Sequence, residues 1–302
     1  MKFNPLVSIV IPVFNGANYL REAIDSALAQ TYENVEVLVI NDGSNDDGAT
    51  EEIALSYGEK IRYFHKKNGG VAAALNMGIS EMRGEYFSWL SHDDLYSPEK
   101  IEKQINHLSN LKDKQDIVFS GWIIINEVGR EINRILPLKR HEREKLESPL
   151  FPLINGMISG CNLLIHKNHF ERVGKFNEDL PTTQDFDLWF RMMRGKSCRI
   201  CEGVLHKTRI HNLQGSRVHS KAHVEENDVL WIKIMSDLSE EEKIQVSGSV
   251  QNFYSDVFMH LLKYSVCKKA LKYARQYCKA NRLSVFVYRA LRLTKNKIKD
   301  WM

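Results

Sequence analysis

The stretch VSIVIPVFNG, residues 7–16, decides the fold of this chain. Residues 7–13 are rich in β-branched residues and apolar except for Ser8, which is typical of a strand buried on both faces of a parallel sheet. The apolar residues at positions 20, 23, 24, 27 and 28 then predict an amphipathic helix, and residues 35–40 predict a second buried strand. A β-α-β unit of this kind predicts an α/β fold with right-handed crossovers.

The same alternation continues along the chain and places polar loops at the ends of strands. We predict a strand over 61–64, a helix over 71–82 and a strand over 86–90. The loop Asn41-Asp42-Gly43-Ser44 follows the second strand, and Ser91-His92-Asp93-Asp94 follows the later one. Ligands of open α/β sheets bind at the carboxyl ends of strands, so these carboxylates are expected at a ligand site.

The rest of the pattern divides the chain in two. Three further elements extend the α/β part, namely a helix from Pro98 and strands over 117–125 and 204–210. Residues 126–152 are charged and punctuated by proline, which predicts an excursion or mobile loop. Beyond about Lys221 the pattern is wholly helical. We therefore predict a catalytic domain over 1–220 and a basic helical region over 221–302.

The composition is that of an ordinary globular protein, with 302 residues, 43% of them hydrophobic and 26% charged, and a net charge of +4. Five cysteines without dense spacing indicate a reducing compartment, so we expect a cytoplasmic protein. Cys198 and Cys201 have the spacing of a metal or redox pair, but their flanking residues predict a strand. The apolar run within residues 1–14 is too short to cross a bilayer and predicts a buried strand.

Several acidic residues could carry chemistry. Asp93 and Asp94 could hold a divalent cation that neutralises a diphosphate leaving group, or they could cap the helix that follows. Asp42 could accept hydrogen bonds from a nucleobase or ribose, or it could close an Asx-turn. Asp185 could act as a general base towards an acceptor hydroxyl, or Asp185 and Asp187 could be ordinary acids at a helix N-terminus.

Five motifs occur in an order and spacing that strongly resemble family 2 of the glycosyltransferases. They are VSIVIPVFN (7–15), NDGS (41–44), NGG (68–70), HDD (92–94) and QDFDLW (184–189). The resemblance covers residues 6 to about 216. One such motif alone is weak, whereas five in register are specific.

The resemblance implies a GT-A fold, a Rossmann-like mixed central sheet flanked by helices, together with an inverting mechanism and a nucleoside-diphosphate sugar donor, with uridine as the base. The residues that it assigns to nucleotide and donor binding are Pro12, Phe14, Asn15, Asp42, Asn68, Gly69, Asn76, His92, Asp93 and Arg209. By the same resemblance, Asp93 holds a divalent metal, Mn²⁺ or Mg²⁺, with help from Asp94, and Asp185 is the base.

Two positions depart from the family pattern, and one later segment contains two candidate residues. Ser91 stands where the family usually has an acid, which leaves one carboxylate fewer for a metal, and Gln184 replaces the Glu usual before the base. The segment from Arg209 to His211 resembles one that folds back over the diphosphate in many relatives. His211 could complete the metal shell and Arg209 could neutralise the leaving group, or both could be ordinary hydrogen-bonded residues.

The last part of the chain is strongly basic. From residue 260 onward there are twelve Lys and Arg residues against one acid, Asp300. Apolar residues recur at helical spacing among these cations, at Leu283, Val287, Ala290, Leu291, Ile298 and Trp301. Such a helix could lie on an anionic membrane surface, or its apolar stripe could pack on the body or on another subunit. We expect no nucleic-acid partner, because no recognised nucleic-acid module accompanies the charge.

These observations predict an inverting glycosyltransferase that extends a cell-surface glycan or lipid-linked acceptor, such as lipopolysaccharide or capsule, at the inner face of the cytoplasmic membrane. An alternative is a non-catalytic binding or scaffolding protein that kept the fold while its metal loop decayed at Ser91. A nucleotidyltransferase is a third possibility, but the loop after the first strand lacks the glycine-rich, basic sequence that such an enzyme would need.

Overall fold

The strands form two sheets in the computed structural model, which describes residues 3–214, 220–264 and 267–278. The strands are β1 (Val7–Val13), β2 (Val35–Asn41), β3 (Arg62–His65), β4 (Tyr86–Trp89), β5 (Leu95–Tyr96), β6 (Ile117–Ile125), β7 (Glu131–Ile135), β8 (Ile165–His166) and β9 (Cys198–Arg209). One sheet has the order β3-β2-β1-β4-β8 and the other has the order β5-β9-β6-β7.

Helices connect the strands and make up the described part of the chain after β9. They are α1 (Leu20–Leu28), α2 (Ala49–Leu55), α3 (Gly70–Glu81), α4 (Lys100–Ser109), α5 (Arg143–Leu146), α6 (Phe151–Ile154), α7 (Asn168–Val173), α8 (Gln184–Met193), α9 (Ser220–Asp237), α10 (Glu240–Ser247), α11 (Val250–Tyr264) and α12 (Lys268–Tyr277). Short 3-10 turns lie at Gly58–Lys60, Pro137–Lys139 and Gly160–Asn162.

The first sheet confirms the predicted α/β class. Strands β1 to β4 run parallel, and β8 adds an antiparallel edge. Every residue of β1 is buried, as expected of a central strand covered on both faces. Pro12 is tolerated in β1 because its missing N–H falls on the side of β4, beyond the last ladder bond there, from Leu90 N to Val10 O at 3.0 Å.

The second sheet is built around the parallel pair of β6 and β9. Strand β9 is longer than predicted and takes in both Cys198 and Cys201. The prediction of a loop over 126–152 is wrong, because this segment contains β7, which pairs antiparallel with β6, and two short helices. No buried periodicity marks β7 in the sequence, since Glu131 to Arg134 are all exposed.

The chain divides into two compact units, 1–226 and 227–302, with the division inside α9. Within the second unit, Phe253 and Val257 of α11 are fully buried, and Asp228 accepts a hydrogen bond at 2.8 Å from the N–H of Ala270. No helix in the described residues has the length and apolarity needed to cross a bilayer. The predicted amphipathic stripe from Leu283 to Trp301 lies outside the described residues.

All five cysteines are unpaired thiols, and four of them are buried. Burial raises the pKa of Cys198 and of Cys267 to about 12, and that of Cys201 to about 11. Burial also holds the pKa of the Cys161 thiol well above its usual value. Cys278, at the end of α12, is the partly exposed one.

Candidate active site

Asp42 lies at the carboxyl end of β2 and binds the start of α3. Its Oδ1 accepts a hydrogen bond from the N–H of Gly69 at 3.0 Å, and its Oδ2 accepts one from the N–H of Gly70 at 2.7 Å. The ammonium of Lys66 lies 2.6 Å from Oδ1. Asn68 donates to the carbonyl of Asp42 at 2.9 Å. The Asp42 loop is therefore held in place by four residues of the 66–70 segment, namely Lys66, Asn68, Gly69 and Gly70.

The alternative of an Asx-turn at Asp42 is wrong, because the side chain that accepts a hydrogen bond in this turn is Asn41, whose Oδ1 accepts from the N–H of Ser44 at 2.9 Å. Asn15, at the end of β1, exchanges two hydrogen bonds with Asn45, of 2.7 and 2.8 Å. Its backbone has a positive φ of 49°, which Asn tolerates better than most residues. The neighbouring Phe14 is 44% exposed, so its ring is available to a base or ribose.

The loop after β4 brings Asp93 to His211. The Nε2 atom of His211 lies 2.8 Å from Oδ2 of Asp93, and both side chains are largely buried. Asp94 accepts a hydrogen bond from the N–H of Arg209 at 2.8 Å, and α4 has no side-chain cap, so the alternative of an Asp93-Asp94 helix cap is wrong. Burial, followed by the charge of Asp93, holds the pKa of Asp94 well above its usual value.

Arg209 also binds the loop that follows β4. Its guanidinium donates to the carbonyl of Asp93 at 3.0 Å and to the carbonyl of Glu127 at 3.0 Å, and it pairs with Glu22 at 2.7 Å. It also lies 4.3 Å from the ring centroid of Tyr19. Because the side chain is buried and bound to these partners, this geometry favours loop positioning over the predicted direct contact with a diphosphate.

Two residues of the loop contact neighbouring segments. Ser91, at the departure from the family pattern, lies 3.4 Å from the sulfur of Cys161 through both its N–H and its hydroxyl. The ring of His92 packs on Gly16, where an added Cβ would come within 2.6 Å of Cδ2. A side chain at position 16 would therefore collide with this ring, so Gly16 allows the loops after β1 and β4 to approach each other. Burial lowers the pKa of His92.

Asp185 lies in the first turn of α8 and accepts a hydrogen bond from the N–H of Phe186 at 2.8 Å. Desolvation raises its pKa above the usual 3.8. The side chain of the preceding Gln184 is buried, and its Oε1 has no hydrogen-bond partner among the described residues. The start of α8 thus combines a carboxylate with a raised pKa and an amide oxygen available to a donor.

The sequence analysis named Asn76 without its partner and did not single out Lys100. The Asn76 side-chain amide, assigned to the donor, donates to the carbonyl of Phe176 and accepts from its N–H, each at 2.9 Å, and so holds the segment that precedes α8. Lys100 is fully buried and donates to Ser88 at 2.9 Å, and burial lowers its pKa to about 7. A lone Lys or Asn in a helix gives no sequence signal for such a contact.

The described residues hold no group of three or more His, Cys, Asp or Glu side chains arranged as a metal site. Asp93 and His211 are adjacent, whereas Asp94 is turned to the backbone of Arg209. A cation here would therefore take at most two protein side chains and the rest of its ligands from elsewhere. A carboxylate together with substrate phosphates suits Mg²⁺ or Mn²⁺, whereas the imidazole of His211 is a softer ligand than Mg²⁺ prefers.

A parallel sheet with acidic loops at the carboxyl ends of its strands, joined to a second sheet, is the architecture of the GT-A class. Staphylococcus aureus TarS (residues 1–349), solved in complex with UDP-GlcNAc, superposes with a TM-score of 0.65 at 15% identity, over 97% of this chain and 92% of that one. The mannosyltransferase PcManGT of Pyrobaculum calidifontis, solved with GDP-Man and Mn²⁺, gives 0.63 at 17% identity, over 98% and 81%. The predicted GT-A fold is confirmed.

A family model described as glycosyl transferase family 2 matches residues 8–174. An uncharacterized glycosyltransferase of Rickettsia felis is 52% identical over 91% of this chain and 46% of its own length, and one of Rickettsia typhi is 49% identical over 88% and 83%. Chondroitin synthase of Pasteurella multocida is 33% identical over 62% of this chain and 19% of its own. The chain belongs to family 2 of the glycosyltransferases, as predicted, and spans about half the length of the first curated relatives that it matches.

Proposed function

We propose that this chain transfers a sugar, with inversion, from a nucleoside-diphosphate donor to a hydroxyl group of a glycan or lipid-linked acceptor. The observation that carries the proposal is that the chain has two acidic sites with different surroundings. One is the Asp93 and His211 pair at the strand ends, and the other is the desolvated Asp185 at the start of α8. The first suits the charge of a diphosphate and the second suits removal of a proton.

The donor half would be formed by the strand-end loops. Phe14 and the Asn15–Asn45 pair supply an exposed ring and amide groups for the base and ribose, and Asp42 secures the loop beneath them. TarS in complex with UDP-GlcNAc supports a uridine nucleotide on this scaffold, whereas PcManGT with GDP-Man shows that the scaffold also takes guanosine. We assign a UDP-sugar because the family resemblance favours uridine.

Asp93 would hold a divalent cation, with His211 beside it and Asp94 keeping the loop in place through its bond to Arg209 N. When bound, such a cation neutralises the leaving diphosphate. One carboxylate and one imidazole from the protein would leave the other coordination positions of the cation to phosphate oxygens. The Mn²⁺ in PcManGT supports this part of the proposal.

Asp185 would remove the proton from the acceptor hydroxyl. The acceptor oxygen forms a bond to the anomeric carbon, the bond from that carbon to the diphosphate breaks, and the proton passes to the carboxylate of Asp185. A raised pKa makes this carboxylate a stronger base than an exposed Asp, and its Oδ1 is fixed by Phe186 N–H. A single displacement of this kind inverts the anomeric centre.

We propose a cell-surface polysaccharide, such as lipopolysaccharide or capsule, as the acceptor class, made at the inner face of the cytoplasmic membrane. The similarity to a chondroitin synthase supports a polysaccharide product. Exposed cations on α12, at Lys268, Lys269, Lys272 and Arg275, support a peripheral contact with anionic lipid.

The test is hydrolysis of a panel of nucleoside-diphosphate sugars by the purified chain, with Mn²⁺ or Mg²⁺ and then with a chelator. We expect slow release of nucleoside diphosphate from one donor, lost on chelation and restored by added metal. Release that persists in chelator would contradict the metal assignment. No release from any donor, together with no nucleotide binding by calorimetry, would overturn the proposal in favour of a non-catalytic binding protein.

A further inference from the structure

Glu226, on α9, binds the start of the helix that carries Asp185. A single carboxylate oxygen, Oε2, accepts four hydrogen bonds from two consecutive threonines. The N–H and hydroxyl of Thr182 donate at 3.0 Å each, and those of Thr183 donate at 3.1 and 3.0 Å. This arrangement fixes both the backbone and the side chains of the segment immediately before α8.

Thr183 is the N-cap residue of α8, yet its own side chain makes no capping hydrogen bond to the helix. Its hydroxyl is instead turned to Glu226. The Glu226 carboxylate therefore takes up donors at a helix N-terminus, where a negative charge is also favoured by the helix dipole. Thr183 is 2% exposed, so this contact lies in a buried part of the protein.

A second residue of α9 contacts the same segment. The Nδ1 atom of His223 lies 3.1 Å from the hydroxyl of Thr182. His223 and Glu226 are three positions apart on a helix, so they share one face. Two contacts from that face to the Thr182–Thr183 pair leave the segment little freedom to rotate.

We propose that Glu226 is a positioning residue for the general base, an inference that rests on the proposed function. Asp185 follows Thr183 by two residues, so the direction of its side chain depends on where the first turn of α8 begins. Glu226 sets that start through four hydrogen bonds. His211, which lies beside Asp93, precedes α9 in the sequence.

The experiment compares Glu226→Ala with Glu226→Gln, which keeps an acceptor oxygen, and with Glu225→Gln, which removes the same charge from the exposed neighbouring position. We expect Glu226→Ala to lower kcat by roughly 10- to 100-fold while KM for the donor changes by less than about 2-fold, because misplacement of the base affects the reacting geometry and not donor binding. Glu226→Gln should recover most of that loss, and Glu225→Gln should match the unsubstituted chain.

Amide hydrogen exchange at residues 184–187 provides a readout that needs no turnover, and Glu226→Ala should exchange faster there. If the unsubstituted chain turns over donor and Asp185→Asn does not, but Glu226→Ala keeps its kcat, the inference alone is overturned. Equal loss in kcat for Glu226→Ala and Glu226→Gln with unchanged exchange would also overturn it. If the unsubstituted chain transfers no sugar, the proposed function fails and this inference fails with it.

Discussion

Asp42 and Asp93, at the strand ends, have different surroundings from Asp185, at the start of α8. Asp42 meets an ammonium and two backbone N–H groups, and Asp93 meets an imidazole. Asp185 instead accepts a hydrogen bond from the next residue of its own helix and is desolvated, which raises its pKa. Partners therefore hold Asp42 and Asp93 in place, whereas Asp185 is desolvated, which suits the proton-accepting role proposed for it.

The largest effect should come from Asp185→Asn, which replaces the basic carboxylate with an amide and keeps the shape of the side chain. We expect kcat to fall by about 10³-fold, since general-base catalysis contributes roughly 10²- to 10⁴-fold. The Kd for nucleoside diphosphate, measured by calorimetry, should stay within about 2-fold. Asp187→Asn is the matched control, because Asp187 pairs with Arg191 at 2.9 Å on the same helix. Loss of nucleotide binding in Asp185→Asn would contradict the division of roles.

Asp93→Asn tests the proposed metal site at the strand ends. We expect kcat/KM to fall by roughly 100-fold and the metal concentration for half-maximal activity to rise, because the cation loses its carboxylate. Metal titrations of Asp93→Asn and Asp185→Asn, with donor binding as the readout, distinguish loss of the metal site from loss of the base. An unchanged metal dependence in Asp93→Asn would place the cation elsewhere.

The pH dependence should follow Asp185. Its pKa is raised, so the protonated, inactive form accumulates at a higher pH than for an ordinary Asp, and kcat/KM should fall as the pH is lowered through an apparent pKa above 3.8. The same shift has a cost in stability. A carboxyl with a raised pKa contributes stability at low pH that is lost as the pH rises through its folded pKa.

Asp185→Asn should therefore raise the Tm at pH 7 and change it little at pH 4, measured by thermal unfolding in two buffers. A lower Tm at pH 7 in this variant would indicate that the charged form of Asp185 is stabilised, contrary to its desolvation.

Lys66→Met should have the smallest effect. The Lys66 side chain is 21% exposed and Asp42 keeps two backbone donors, so we expect a loss of about 1 kcal/mol in the free energy of unfolding. KM for the donor should rise by less than about 3-fold. Chemical denaturation and donor kinetics check both numbers, and Lys67→Met is the control. A loss as large as that of Asp93→Asn would make Lys66 part of the donor site itself.

The sequence analysis located the buried strands β1, β2, β4 and β6, and it missed the exposed strand β7 and the two-residue strand β5. The strand predicted over 117–125 has those bounds in the structure, and β1 begins and ends where its apolar run does. Strand β7 was missed because its residues face solvent and its place is set by pairing with β6. Burial requires a recognisable pattern of apolar residues in the sequence, whereas pairing at the edge of a sheet does not.

For the site, the positions of the carboxylates could be predicted and their partners could not. Asp42 and Asp93 follow apolar strands, so the edge where they lie was clear from the pattern. The link between Arg209 and Glu22 joins residues far apart in the chain, and no local spacing signals it. The predicted contact of Arg209 with a diphosphate came from the resemblance, and only the packed structure showed the guanidinium already bound.

The burial of four thiols gives the chain a practical property. Thiol reagents attack the thiolate, and burial both shields these sulfurs and keeps them protonated at neutral pH. Maleimide dyes should therefore react first at Cys278, outside the 1–226 unit that carries the site. A fluorophore could thus be attached to the native sequence at one position, without removing any cysteine.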